Sequence, residues 1–500
     1  MTSNLLFDRL MRAGVPAALA LEAGGRRYSY ADLMGETARL AGALVELGVK
    51  PGDRVAAQVE KSATNLLLYL ATVRVGGVFL PLNTAYTLAE LAYFLGDAEP
   101  ALIVCDPAAS DGLAAIAGGA SIVTLDASGT GGLADLAANG SDTFPTVPRG
   151  PDDLAAICYT SGTTGRSKGA MLTHRALAAN AETLVELWRF TNRDVLIHAL
   201  PIYHVHGLFV ATNVALMAGA SMIFQSRFDA VSVLSAMGRA TCLMGIPTFY
   251  TRLLAQPGLT REAAAPMRLF ISGSAPLLAQ THRDWTARTG KPILERYGMT
   301  ETGMNTSNPY DQERMPGTVG FPLPDVALRI VDETTGAPVV DGEIGVIEVK
   351  GPNVCAGYWR NAEKTAEAFR PDGFFITGDL GVRDSAGYVS IVGRGKDLII
   401  TGGLNVYPKE VETEIDTLPG VVESAVIGLP HADFGEAVTA VVAVGADGDI
   451  TEADILDPLV SRLASFKRPK RVVFVTDLPR NAMGKVQKAQ LREQLRVLFD

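Results

Sequence analysis

The stretch from Thr160 to Gly169, TSGTTGRSKG, crowds the hydroxyls of Thr160, Ser161, Thr163 and Thr164, glycines at 162, 165 and 169, and the ammonium of Lys168 into ten residues. Glycines let backbone N–H groups come close to a ligand, hydroxyls add donors and the lysine adds a point charge, a set that suits a polyphosphate. A Walker loop requires Gly, four residues, then Gly-Lys-Ser/Thr. Counting from Gly162 puts Ser167 where the second glycine belongs and Gly169 where the magnesium-binding hydroxyl belongs. Alone, the stretch also reads as a flexible surface turn. Other residues are equally open by themselves. Glu301, in YGMTET, offers the carboxylate that a hard cation bridging phosphates needs, or is a solvated charge. His204 and His206, in PIYHVHGLF, lack an evident third metal ligand and read as structural. Lys485 sits among Arg480, Lys488, Arg492 and Arg496, which suggests a solvated basic face.

The elements that carry these residues follow from periodicity. Residues 29–47 place Leu33, Leu40, Leu44 and Leu47 at helical spacing, open with a Ser-x-x-Asp cap and stop at Gly48. DRVAAQV then reads as a strand, and helices over 64–75 and 87–95 alternate with the apolar runs VFLPL and ALIVC. Strands alternating with helices imply α/β layers with parallel pairing, here to about residue 320. Residues 108–142, rich in Ala, Gly and Ser, read as a surface excursion tolerant of change. LAAICY is the apolar strand that leads into the glycine-rich loop. ISGSAPLLAQTHRDW runs from a strand into a helix, with Ser274 as its cap, Pro276 in its first turn, and Arg283 unobstructed between Ala279 and Ala287. Short β segments (ALRIV, GVIEVKG, GYVSIVG) mark a β-rich subdomain over 326–393. After Gly393 the pattern resets into strands AVIGLP, AVTAVVAVG and RVVFV with helices over 452–463 and 486–498. The predicted fold is therefore α/β: a large multi-layer N-terminal domain, 1–393, and a small α+β C-terminal domain, 394–500.

The 500 residues carry 44 Lys plus Arg against 54 Asp plus Glu, a net charge of −10 that disfavours nucleic-acid and anionic-membrane partners and favours small molecules. Cys105, Cys158, Cys242 and Cys355 form no Cys-x-x-Cys motif, and no targeting segment precedes them, so a reducing, cytoplasmic location is expected. Residues 195–226 hold no charge, yet Pro201, His204, His206, Gly207, Asn213 and Gly219 interrupt them, which predicts a buried strand, loop and helix rather than a membrane span.

YTSGTTGRSKG after an apolar strand resembles the signature of the adenylate-forming enzymes: acyl-CoA synthetases, luciferases and peptide-synthetase adenylation domains. YGMTET, TGDLG, GRGKDLIITGGLNVYPKEVE and LPRNAMGKVQK resemble that family's further motifs, in its order, over residues 159–488. The resemblance implies ATP, Mg2+ and coenzyme A as cofactors. It assigns residues 160–165 and Lys168 to the β- and γ-phosphates, Thr300 to phosphate contact and Glu301 to magnesium. Ser274, Ala275, Arg296, Tyr297, Gly298 and Met299 fall to the nucleotide, and Asp379 with Arg394 to the ribose hydroxyls. Gly402, Gly403 and Leu404 would line the pantetheine tunnel, and Lys396 would be the domain pivot. Lys485 would be the catalytic lysine whose charge stabilises the carboxylate attacking the α-phosphate. Its acetylation by a protein acetyltransferase, reversed by a deacetylase, would remove that charge.

PIYHVHGLF, SGSAPLLAQTHRDW, RYGMTETGMNTSNPYD and KGPNVCAGYW together closely resemble bacterial malonyl-CoA synthetases. That resemblance assigns His204, Arg283 and Met304 to the acid, with His204 also near the chemistry. It implies an AMP-forming acid–thiol ligase for malonate with some use of methylmalonate. The alternatives are another short-chain or aromatic acid, a peptide-synthetase domain, a membrane-bound fatty-acyl ligase, and a non-catalytic nucleotide-binding regulator. No carrier-domain segment or membrane anchor supports the second or third of these.

Overall fold

The computed structural model describes residues 3–160, 167–402, 404–431, 433–445, 450–481 and 483–499. The chain divides into two compact units, residues 1–327 with 349–375, and residues 328–348 with 376–500. The β segments between 328 and 393 thus fall largely with the C-terminal residues.

Two sheets with parallel centres build the first unit. One runs in the order Ser121–Thr124, Leu102–Cys105, Arg54–Gln58, Val78–Pro81, Leu154–Thr160, Lys168–Thr173, parallel except for the antiparallel last pair. The other has nine strands, with Ile293–Met299, Leu269–Ser272, Cys242–Gly245, Val195–His198 and Ser221–Phe224 parallel at its centre. Such strands are buried on both faces and read as continuous apolar runs, as LFIS does with all four residues buried.

Local signals set the helices. Helix Tyr30–Glu46 opens on a reciprocal Ser29–Asp32 capping box and is followed by Gly48 at φ +90°. Helix Leu88–Ala98 opens on the same device, from Thr87 and Glu90. The uncharged stretch folds as expected: strand Val195–His198, a π-helical turn His206–Thr212, helix Asn213–Met217 and strand Ser221–Phe224. No helix among the described residues is long and apolar enough to cross a membrane.

Residues 108–142 are not the expected surface excursion. They contain helix Ser110–Ala114, the sheet-edge strand Ser121–Thr124 and helix Gly132–Ala138. Leu113, Leu125 and Leu133 are buried within them. Two of the glycines there are tightly packed: a Cβ on Gly129 would stand 2.4 Å from Thr64 Oγ1, and one on Gly131 would stand 2.6 Å from the Thr124 carbonyl oxygen.

The second unit contains the strands Gly345–Lys350, Phe375–Arg383 and Val389–Arg394 of a four-stranded sheet, and a five-stranded sheet. In the latter, Val421–His431 pairs antiparallel with Gly435–Val444, which pairs parallel with Arg471–Val475. Helix Pro408–Ile415 packs on its apolar face. The two C-terminal helices are shorter than predicted. One spans Glu452–Leu459 and ends just after Pro458. The other spans Lys488–Gln494, because Val486 is drawn into a β-bridge with Arg480.

Candidate active site

Strands Leu154–Thr160 and Lys168–Thr173 form a hairpin whose last pair is Thr160 with Lys168. The hairpin brackets residues 161–166, so the expected phosphate contacts at Ser161, Gly162, Thr163, Thr164 and Gly165 lie outside the described residues. Gly169 is required where it stands, since a Cβ there would lie 2.8 Å from Ile157 Cγ2. Its carbonyl accepts from the N–H of Trp359 at 2.8 Å, and Ala170 forms a bridge with Tyr358.

Tyr358 joins two motifs that lie far apart in sequence. Lys168 Nζ stands 4.4 Å from its ring centroid, and its hydroxyl donates to Glu301 Oε1 at 3.2 Å. Cys355 N–H also donates to the Glu301 carbonyl, at 2.7 Å. The lysine of the loop and the carboxylate of YGMTET thereby meet at one aromatic residue, the lysine over its ring and the carboxylate at its hydroxyl. Tyr358 was not singled out from the sequence, though it lies in the quoted block KGPNVCAGYW.

Glu301 is buried, at 6% exposure, in the turn after strand Ile293–Met299. That turn is tight. Gly303 lies at φ +56°, and a Cβ on Gly298 would stand 2.0 Å from the Gly303 carbonyl oxygen. Asn180 holds the returning strand at both polar atoms of Met304, each at 3.0 Å. Thr300 and Tyr297 are half-buried and Met304 is buried. No cluster of three His, Cys, Asp or Glu exists among the described residues. A single buried carboxylate fits magnesium, which usually binds through one or two carboxylates plus substrate phosphates and water.

A second group of polar side chains gathers at the end of strand Leu269–Ser272. The expected cap at Ser274 does not form: helix Ala279–Thr289 starts later, after Leu278, with no side-chain cap. Ser274 instead adopts a left-handed conformation, φ +69°, and its hydroxyl meets His206 Nδ1 at 3.1 Å. His206 is buried and its pKa lies well below the usual value, first through burial and then through Arg296, His204 and His198 around it. The ring is therefore neutral. His204 is half-buried, and its Nδ1 accepts from the His206 N–H at 3.2 Å.

Arg296, on strand Ile293–Met299, is buried beside this group, and burial pulls it down to about 9, opposed by Tyr250. It remains a cation at neutral pH. Arg283 is placed otherwise. It lies on the exposed face of its helix, with Nε and Nη2 donating to Gln280 Oε1 at 3.3 and 3.0 Å. The side chain that this helix turns inward is His282, which meets Glu295 Oε1 at 2.9 Å.

Behind His206, Lys61 is buried with Nζ 3.0 Å from His198 Nδ1 and 2.7 Å from the His198 carbonyl. His198 Nε2 in turn lies 2.9 Å from the Gly207 carbonyl oxygen. Burial holds both Lys61 and His198 well below their usual pKa values. An uncharged sequence run gave no hint of this lysine, which enters from residue 61.

In the second unit, Asp379 Oδ1 and Arg394 Nε are 2.7 Å apart, on paired residues of strands Phe375–Arg383 and Val389–Arg394. Lys396, two residues later, is exposed, and partial desolvation of its ammonium lowers its pKa. Gly402 has φ +57° and Leu404 is exposed, while Gly403 lies outside the described residues. Lys485 is half-exposed in a turn closed by Asn481. Its basic neighbours are engaged: Lys488 with Glu412, Arg492 with Asp397 and Arg480 with Glu423.

The AMP-binding enzyme family matches residues 11–359, and the AMP-binding enzyme C-terminal domain matches residues 410–485. The chain belongs to this family. Its fold is similar to the crystal structure of ATP-bound MatB from Rhodopseudomonas palustris, at 62% identity and a TM-score of 0.98 over 100% of both chains. A feruloyl-CoA synthase of Amycolatopsis is 38% identical, covering 96% of each chain. A mitochondrial malonate–CoA ligase of Mus musculus is 34% identical, covering 98% of this chain and 90% of its own.

Proposed function

We propose that the protein is a malonyl-CoA synthetase. Identity to MatB, at 62% over the whole chain, is well above the 38% shared with the feruloyl-CoA synthase. The observation that carries the choice is the polar, cationic character of the group around His206, Ser274 and Arg296, since a pocket for an aromatic acid would be apolar.

The reaction runs in two steps. A malonate carboxylate oxygen attacks the α-phosphorus of ATP, forming malonyl-adenylate and expelling pyrophosphate. The thiol sulfur of CoA then attacks the acyl carbon, and AMP leaves. Lys168, Thr160 and the loop between them hold the β- and γ-phosphates. Glu301 would hold a magnesium ion, whose charge offsets that of the phosphates. Asp379 and Arg394 hold the ribose, and Ala275, Tyr297 and Met299 line the nucleotide. Lys485 supplies the cation for adenylation, Lys396 is the pivot, and Gly402, Gly403 and Leu404 serve the pantetheine arm. Acetylation of Lys485 would switch off the first step. Methylmalonate adds one methyl, worth about 1–3 kcal/mol, and is expected as a secondary substrate. Four unpaired cysteines fit a reducing compartment.

The test is AMP release from MgATP and CoA with malonate, methylmalonate, acetate, succinate and benzoate in parallel. Malonate is expected strongly ahead. Benzoate or acetate ahead overturns the acid assignment, and no AMP with any acid overturns the ligase.

A further inference from the structure

Residues 353–359 supply no group to the two-step reaction, yet their backbone is laced to both of the segments assigned to MgATP. Toward the phosphate hairpin, the Met171 N–H donates to the Gly357 carbonyl at 2.9 Å, and the Ala356 N–H donates to the Met171 carbonyl at 2.9 Å. The Trp359 N–H donates to the Gly169 carbonyl at 2.8 Å. Toward the YGMTET turn, the Cys355 N–H donates to the Glu301 carbonyl and Asn353 Nδ2 to the Thr302 carbonyl, each at 2.7 Å. The segment is itself held in place. Gly357 lies at φ +117°, where a Cβ would stand 2.5 Å from Thr365 Cγ2, and the Tyr358 N–H donates to Thr365 Oγ1 at 2.9 Å.

This fixed backbone aims one rigid side chain at two charged groups. Tyr358 and Glu301 are each 6% exposed. A buried carboxylate is costly unless it accepts hydrogen bonds, and the Tyr358 hydroxyl supplies one to Oε1 at 3.2 Å. Pinning Oε1 fixes the plane of the carboxylate, and with it the direction in which Oε2 points. Lys168 carries its ammonium on a flexible four-carbon stem. At 4.4 Å from the Tyr358 ring centroid it lies within cation–π range, which confines that stem. Hydrogen-bond partners of a metal-holding carboxylate typically matter 10- to 100-fold for metal affinity.

We propose that Tyr358 is a positioning residue for adenylation, which sets the Glu301 carboxylate and the Lys168 ammonium relative to one another so that a divalent cation and the phosphates of one nucleotide are held together. This rests on the reading of Glu301 as the magnesium ligand and Lys168 as a phosphate ligand.

The test is Mn2+ binding to the full chain with α,β-methylene-ATP, followed by electron paramagnetic resonance, in Tyr358→Phe, Tyr358→Leu, Glu301→Gln and the Tyr358→Phe/Glu301→Gln pair. Tyr358→Phe keeps the ring and its packing but removes the hydroxyl. It is expected to weaken Mn2+ binding about tenfold and to raise by the same factor the Mg2+ needed for half-maximal pyrophosphate exchange. Excess Mg2+ should restore the rate, with the malonate KM within about twofold of wild type. In the Glu301→Gln background the same change should cost less than about twofold, because the hydroxyl acts through that carboxylate. Tyr358→Leu also removes the ring and should weaken nucleotide binding a further two- to fivefold.

Unchanged Mn2+ affinity in Tyr358→Phe overturns the proposal. So does a full tenfold loss in the Glu301→Gln background, or a loss of rate that excess Mg2+ does not recover, since either places the tyrosine in general packing. If Tyr358→Leu does not fold, the phenylalanine variant and the double-variant comparison decide. Mn2+ binding that Glu301→Gln leaves at the wild-type level removes the magnesium reading and the proposal together. Weakened binding in Glu301→Gln with none in Tyr358→Phe removes the proposal alone.

Discussion

Replacing Asp379 with Asn tests the ribose assignment in a way that separates binding from stability. Asp379 is 4% exposed, and its Oδ1 meets Arg394 Nε at 2.7 Å. Asn keeps the volume and one acceptor but places an amide donor where the carboxylate presented an acceptor. A charge-assisted hydrogen bond to one ribose hydroxyl contributes about 1.5–3 kcal/mol, so its loss should lower kcat/KM for ATP roughly 10- to 160-fold. The structural cost should be smaller. The Arg394 side chain is 34% exposed, and solvent screening limits such a pair to about 0–1 kcal/mol, a shift in Tm of no more than about 4 °C. The assay is malonate-dependent pyrophosphate exchange with ATP and with 2′,3′-dideoxy-ATP. Wild type should favour ATP strongly, and Asp379→Asn should treat the two nucleotides nearly alike. A variant that keeps the wild-type preference, or loses activity equally on both nucleotides, refutes the reasoning.

Lys485→Ala should lower pyrophosphate exchange about 10²–10³-fold and still make thioester from supplied malonyl-adenylate and CoA; loss of both half-reactions contradicts its role. Gly207→Ala should destabilise the first unit by about 1–3 kcal/mol and weaken malonate use, because the new Cβ would stand 2.0 Å from the Pro201 carbonyl oxygen; an unchanged urea midpoint argues against that packing. His174 is pulled by burial from 6.5 down to about 4. Between those values the unfolded chain binds a proton that the native chain does not. Stability is therefore full above about pH 6.5 and falls with acidification by up to about 1.4 kcal/mol per pH unit. His174→Gln should make urea stability at pH 5 closer to that at pH 7 than in wild type; parallel profiles count against it.

Features fixed by neighbours in sequence were readable from the residues. The Ser29–Asp32 box caps the helix expected of it, and the helix expected from residue 87 forms behind a Thr87–Glu90 box, because each box closes its bonds within three residues. The strand leading into the phosphate loop and the order of the motifs were equally plain, and with them the family and the chemistry it implies. What required the folded chain was everything that depends on burial and long-range approach. Residues 108–142 have a composition that suits a loop, yet Ser121–Thr124 becomes a sheet edge because Leu102–Cys105 lies beside it. Ser274 looked like a helix cap, but its hydroxyl is taken by His206 from 68 residues away. Tyr358 gains its place only when the hairpin and the YGMTET turn close on it. Arg283 and Arg296 are the same residue type 13 positions apart, and no local pattern ranks them. The helix turns one to solvent while the strand drives the other into the core without a counter-charge, because which face is buried is set by the layer packed against it and not by the residue itself.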